Sequence, residues 1–281
     1  MKEIKAQEIT QAVASLCQQA NFELADDVLQ ALREARQKEK SPLARDILDE
    51  IIENAGIAKE EKLPLCQDCG TAVIFLEIGQ EVHITGGDLN TAVTKGVRQG
   101  YMQGYLRKSM VEKPFSARTN TGDNTPPVIH TKIVPGDKLR VIVMTKGSGA
   151  ENMSRLAMLK PGAGSQGIIE LVVRTVDEAG GNPGPPLIIG LGIGGTAEKA
   201  MMLAKEALLR KLGESNPDPE AAKLEKKILA QVNALGIGPL GLGGTTTALA
   251  VRAEFMPSHI ASLPVAVNLQ CHSARHREVV I

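Results

Sequence analysis

The chain has 281 residues, zero formal net charge and no tryptophan, with 43% hydrophobic and 23% charged residues. That balance fits a folded globular protein and excludes a disordered one; zero net charge gives no reason to expect nucleic acid or an anionic membrane as a partner. Four cysteines make no disulfide framework, and no apolar run nears the roughly 20 residues that span a bilayer, so the reading is a cytoplasmic protein with no membrane partner. The charged start, Met1-Lys-Glu-Ile-Lys5, leads into a helical pattern and reads as no signal peptide. Only four Phe and two Tyr are present, so the core must come from Leu, Ile, Val and Ala, while 28 Gly and 15 Pro predict many tight loops.

Residues 4 to 57 read as helical. Ile9, Val13 and Leu16 recur at helical spacing, as do Leu24, Val28 and Leu32. Ser41 followed by Pro42 is a good helix start, with Leu43, Ile47 and Ile51 on one face behind it. Cys17 falls within the first helix and reads as core packing. Residues 72 to 78 read as a strand. Asp88 can cap a helix from 89 to about 108, which places Tyr101 and Tyr105 on one packing face and Arg107 and Lys108 at the helix end. Residues 116 to 127 are full of turn formers and read as a loop. Residues 128 to 134 and 138 to 144 read as a hairpin joined by Pro135-Gly-Asp137, with His130 a core histidine.

Further on, Lys146-Gly-Ser-Gly-Ala-Glu-Asn152 is a loop whose backbone N–H groups could bind a carboxylate. A helix from 165 to 179 follows, then the rigid bend Pro183-Gly-Pro-Pro186, an apolar strand and a helix over 197 to 212. Gly190, Gly192 and Gly195 space as a dinucleotide fingerprint, yet the acidic strand end expected about 20 residues later is a polar turn here. Close strand-to-helix packing is the better account. A helix over 218 to 234 precedes a second Gly-rich loop, 236 to 244, which lacks the Gly-Lys-Ser/Thr of a phosphate loop. Strands at 247 to 255 and 261 to 269 complete the pattern. The fold class is mixed α/β in one domain over 1 to 281: a helical N-terminal part (1 to 60), then mixed and antiparallel sheets with helices and Gly-rich loops (61 to 281).

The stretch with the most chemistry is Leu63-Pro-Leu-Cys66-Gln-Asp-Cys69-Gly70, with two thiols three apart beside an amide and a carboxylate. By itself it is a zinc half-site, a redox pair, part of an iron–sulfur site, or two buried small thiols.

Four motifs recur in the same order in one family: Cys66-Gln-Asp68, the 146 to 152 loop, Asn182-Pro-Gly-Pro-Pro186 with its Gly-rich sequel, and Asn268-Leu-Gln-Cys271. Over nearly its whole length the chain resembles the alpha subunit of two-subunit class I fumarate hydratases and L-tartrate dehydratases. The resemblance implies a [4Fe-4S] cluster acting as Lewis acid, held by three cysteines. Cys66 and Cys271 match the first and third ligands. The second falls in the 182 to 186 bend, where this chain has Gly184. Cys69 could step in, a two-cysteine cluster could be labile, the chain could be a cluster-free, non-catalytic binding homologue, or Gly184 could be an introduced change. Gln67, Asp68, Arg107 and Gly149 match substrate-binding positions. His259 matches a histidine that pairs with Asp68 in catalysis. His272 and His276 read as orienting groups. The resemblance further implies a separate beta subunit, a hetero-oligomer, and a small dicarboxylate substrate. The expected reaction is hydration of fumarate to L-malate, as in the tricarboxylic acid cycle, with L-tartrate dehydration the alternative. A zinc site on Cys66, Cys69, Cys271 and His272 is a further rival.

Overall fold

The computed structural model describes residues 2 to 281. In chain order its elements are β1 (Lys2–Lys5), α1 (Ala6–Phe22), α2 (Asp26–Lys38), α3 (Pro42–Glu61), β2 (Thr71–Gly79), β3 (Val82–Thr85), α4 (Leu89–Gln103), β4 (Val128–Val134), β5 (Leu139–Lys146), α5 (Ser148–Glu151), β6 (Arg155–Leu159), α6 (Gly164–Ala179), β7 (Leu187–Gly194), α7 (Ala197–Ala207), α8 (Pro219–Asn233), β8 (Ala248–Met256), β9 (Leu263–Gln270) and β10 (His276–Val280). The architecture is mixed α/β with a helical N-terminal region. The chain forms two compact units, one of residues 1–25, 55–148 and 275–281, the other of 26–54 and 149–274.

In the first unit a four-stranded sheet runs β10-β5-β2-β4, antiparallel at its first two junctions and parallel at β2–β4. A small parallel pair, β1–β3, stands beside it. The periodic Ile9, Val13 and Leu16 of α1 are all buried, joining Ile74 and Leu76 of β2, Val141 and Val143 of β5, and Val93 and Val97 of α4. Each such side chain removed from water contributes about 1.5–3 kcal/mol. Close approach of α1 and α4 needs glycine: a Cβ at Gly96 would lie 2.7 Å from the Thr10 carbonyl, and one at Gly100 2.8 Å from that of Ala14. Cys17 is buried here and its thiol is pushed up to about 12 by that burial, which fixes it as packing.

Three expectations fail in this unit. Residues 128 to 134 and 138 to 144 form no hairpin, because β2 lies between β4 and β5 and pairs with both. Helix α4, capped as expected by Asp88 accepting from the Thr91 N–H, stops at Gln103. Gly104 and then Tyr105, at φ 50°, end it, so Arg107 and Lys108 lie beyond the helix. Tyr101 is fully buried and Tyr105 is 91% exposed, so they share no packing face. His130 is half-buried and stacks on Phe75 with ring centroids 5.2 Å apart.

The second unit holds a sheet of order β6-β9-β7-β8, again antiparallel twice and then parallel. Leu187, Ile189 and Leu191 of β7 bury one face with α6 and α8, alongside Val265, Val267 and Leu269 of β9. The opposite face of β7 presents Gly190 and Gly192, where a Cβ would come within 2.0 Å of the Ala204 and Ala200 carbonyls of α7. The glycine spacing is therefore a packing device for a helix laid on a strand. Helix α8 starts as its sequence predicts, with Asp218 accepting from the Ala221 N–H and Pro219 in the first turn.

Candidate functional site

The loop before β2 carries Cys66, Gln67, Asp68 and Cys69, and its backbone is held from several directions. Tyr101 Oη donates to the carbonyls of Cys69 and Gly70 at 2.8 and 3.0 Å. Asn124, fully buried, donates to the Gly70 carbonyl at 3.1 Å. Arg275, 1% exposed, donates through Nη1 to the Asp68 carbonyl at 2.6 Å and to Asn21 Oδ1 at 3.2 Å. None of Tyr101, Asn124 or Arg275 stood out in the sequence as a support of this loop. An arginine four residues past Cys271, in a segment with no helical period, is the one signal that pointed there.

The Asp68 side chain is fixed as tightly. Oδ1 accepts from the Gly70 N–H at 2.9 Å and Oδ2 from the Ser148 N–H at 2.8 Å. The 146 to 152 loop thus does present an N–H to a carboxylate, and that carboxylate belongs to the chain itself. A Cβ at Gly147 would sit 3.3 Å from Arg275 Nη2 and 3.4 Å from Asp68 Oδ2, so glycine lets this cation and anion approach one another.

Cys66 is half-buried, and its Sγ accepts from the Asp68 N–H at 3.4 Å. Cys69 is a core residue at 1% exposure, its Sγ accepting from the Arg107 N–H at 3.2 Å. Burial pushes the Cys69 thiol up, opposed by that hydrogen bond and by Arg275. The Arg107 side chain reaches out to Gln67, Nη1 to Oε1 at 3.5 Å. Cys66, Gln67, Asp68 and Arg107 are therefore one local constellation.

The second unit holds the other expected residues. The bend at Gly184 packs on Cys271: the Gly184 carbonyl accepts from the His272 N–H at 3.1 Å and lies 3.0 Å from His272 Nδ1. Gly184 has φ +74°, and a Cβ built there would meet the Cys271 Cβ at 3.4 Å. Sequence positions 184 and 271 are thus brought together. Gly149, exposed, opposes the Asn182 carbonyl, 3.0 Å from where its Cβ would be. His259 is exposed and accepts at Nδ1 from the Ala261 N–H at 3.1 Å. It lines a cavity of about 510 Å³ with Thr196, Lys199, Met158, Met256 and Ser262.

A model of the fumarate hydratase (Fumerase) family matches residues 10–280. The chain belongs to this family of hydro-lyases. One relative, from Methanocaldococcus jannaschii, bears the name "Putative L(+)-tartrate dehydratase subunit alpha"; it is 43% identical over 272 residues, 95% of each chain. "L(+)-tartrate dehydratase subunit alpha" of Escherichia coli strain UTI89 is 30% identical over 278 residues, covering 98% of this chain and 91% of its own. The protein of that name in Escherichia coli O157:H7 is 29% identical over 284 residues, 100% and 93% respectively.

The donor set falls short of the iron–sulfur group this family generally carries. Two half-buried thiols, Cys66 and Cys271, stand where the resemblance leads one to expect ligands, and the third expected position is Gly184. Cys69 is committed to the core and to the Arg107 N–H. Among the described residues no three His, Cys, Asp or Glu side chains are gathered as a metal site. A three-thiolate cradle does not fit this chain.

Proposed function

We propose that the chain is the alpha subunit of a hydro-lyase that removes or adds water on a four-carbon dicarboxylate, working in the cytoplasm with a separate beta subunit. The reading rests above all on the family match over nearly the whole chain together with the Asp68 constellation. The relatives' names favour L-tartrate over fumarate as the substrate class, and the family model's name keeps fumarate hydration as the second reading.

Each residue has a chemical task. The Asp68 carboxylate, held by two N–H donors, accepts or returns a proton at Oδ2, and the exposed His259 is a second group able to carry one. The exposed Arg107 guanidinium binds one substrate carboxylate, Gln67 donates or accepts at a substrate oxygen, and the Gly149 N–H meets the other end. A [4Fe-4S] cluster is the cofactor the family implies; this chain offers it Cys66 and Cys271, one thiolate fewer than the pattern, and no step here is routed through it.

The test is to co-express the chain with a beta subunit, purify without oxygen, supply iron and sulfide, and follow L-tartrate, L-malate and fumarate. Turnover lost in Asp68→Asn and in Arg107→Gln supports the reading. Iron content tracks the ligand question separately: iron held by the native chain and lost in Cys66→Ser and Cys271→Ser assigns those thiols. An iron-free chain that stays inactive even as Gly184→Cys with iron restored refutes the hydro-lyase reading.

A further inference from the structure

One part of the first unit touches neither core nor sheet. From residue 112 to 120 every residue is exposed, and Phe115 is 88% exposed. The segment is nonetheless a defined hairpin-like arm. Val111 bridges Asn120, the Glu112 N–H donates to Thr119 at 2.8 Å, and the Thr121 N–H donates to Met110 at 3.0 Å. At the tip the Ser116 N–H donates to Lys113, and Arg118 Nη1 to the Pro114 carbonyl at 2.8 Å. Lys113 and Arg118 both hold positive φ, 39° and 51°. A chain ordered to this degree around an aromatic side chain in water presents that side chain.

The arm is rooted in the candidate site. Asn124 Oδ1 accepts from the Ser109 and Met110 N–H groups at 2.7 and 3.2 Å, while the same amide donates to Gly70. Arg107, at the arm's start, is tied by its N–H to Cys69. Between Tyr105 and Thr121 there are four cations, Arg107, Lys108, Lys113 and Arg118, against one anion, Glu112. The chain as a whole is neutral, so this surplus is local.

We infer that the arm is the docking element for the second subunit of the hydro-lyase. It inserts Phe115 into an apolar socket on an acidic face of that subunit. This rests on the functional reading above, which supplies the second subunit. An exposed aromatic flanked by arginine is the combination that dominates subunit interfaces. The local cations select an acidic counterpart and speed encounter. Rooting on Cys69 and Gly70 makes docking felt at the loop of Cys66 and Asp68.

The experiment measures binding of the full chain to a tagged beta subunit. It compares the native arm, Phe115→Ser, and the pair Lys113→Glu with Arg118→Glu. Expected are at least about tenfold weaker binding in each variant and thermal melts of the chain alone that do not move, since these side chains are exposed. Raising salt from about 0.05 M to about 0.3 M should weaken native binding and lose this effect in the charge-reversed pair. Native binding by the variants overturns the inference. So does a native chain that binds no beta subunit, or one that self-associates through Phe115 and turns monomeric in Phe115→Ser. A tight complex that turns over no dicarboxylate refutes the hydro-lyase reading and leaves the arm standing. Turnover with arm variants that bind normally refutes the arm alone.

Discussion

The two sheets are built to one plan. In the first, β2 is followed by a helical crossover to its parallel neighbour β4, and the next strand, β5, returns along the other side of β2. In the second, β7, β8 and β9 repeat that order and those directions. The start of the central strand therefore meets the end of the returning strand twice, Thr71 opposite Lys146 and Ile188 opposite Gln270. The candidate residues sit at these twin corners: Cys66 to Cys69 before β2 with Gly147 and Ser148 after β5, and Gly184 before β7 with Cys271 after β9. The difference lies in what fills each corner. The first is packed with polar side chains, the half-buried Asp68 and the buried Asn124, Tyr101 and Arg275, that hold its turns. The second is closed by a glycine at φ +74°, by the His272 ring against the Gly184 carbonyl and by Gln270 Nε2 donating to the Ser273 carbonyl. Buried charge and amides hold one corner; close backbone approach at a glycine is what distinguishes the other.

The largest way to break this parallel is at the crossover helix of the second unit. Gly192→Val puts a branched side chain where even a Cβ would be 2.0 Å from the Ala200 carbonyl. With backbone rather than a flexible side chain in the way, a loss well beyond the roughly 1–3 kcal/mol of ordinary overpacking, and above that of the truncations that follow, is expected, visible as unfolded protein at low urea. Next come matched core truncations, Ile74→Ala in β2 and Ile189→Ala in β7, both fully buried. Each should cost about 2–5 kcal/mol. Equal costs by urea titration would show that the two frames are equally close-packed.

A smaller effect tests a polar support of the second unit. Glu39, fully buried, accepts from the Lys40, Ser41, Thr245 and Thr246 N–H groups and from the Thr245 hydroxyl. Burial pushes its carboxyl up, and the hydrogen bonds outweigh this, leaving it below its ordinary value. A depressed carboxylate stabilises the fold above its unfolded pKa and loses that contribution as pH falls through the folded one. Glu39→Gln should therefore cost about 1–3 kcal/mol near pH 7, the gap to the native chain closing in denaturation curves taken below pH ~4. The smallest effect is at position 184. Gly184→Cys should cost about 1–2 kcal/mol for its left-handed backbone. Its Cβ, 3.4 Å from that of Cys271, is near the ~3.5–4.5 Å range of disulfides. Mass spectrometry should find a 184–271 crosslink in air that reductant removes; its absence would show that the bend moves to admit a side chain.

Helices and most strands were legible because hydrophobic spacing and caps are local. Ser41, Asp88 and Asp218 mark helix starts that the structure confirms. The supposed hairpin at 128 to 144 failed because two adjacent strands with a good turn say nothing about a third strand inserted between them. The site's motif residues were readable, and Gly184 with Cys271 proved to be neighbours. The supports were not readable. Arg275 reaches Asp68 across 207 residues, and Glu39 reaches Thr245 across 206. The 146 to 152 loop, read as a carboxylate binder, does hold a carboxylate, but the chain's own Asp68, which no local pattern reveals.

Gly184 also behaves as a ratchet. Its left-handed backbone is comfortable only without a Cβ, and its carbonyl is already engaged by His272. A sequence drifting through this corner meets no stability penalty for keeping glycine and an immediate one for restoring a side chain. Stability selection therefore runs against any side chain at position 184, a cysteine included, and only selection on turnover itself could favour one.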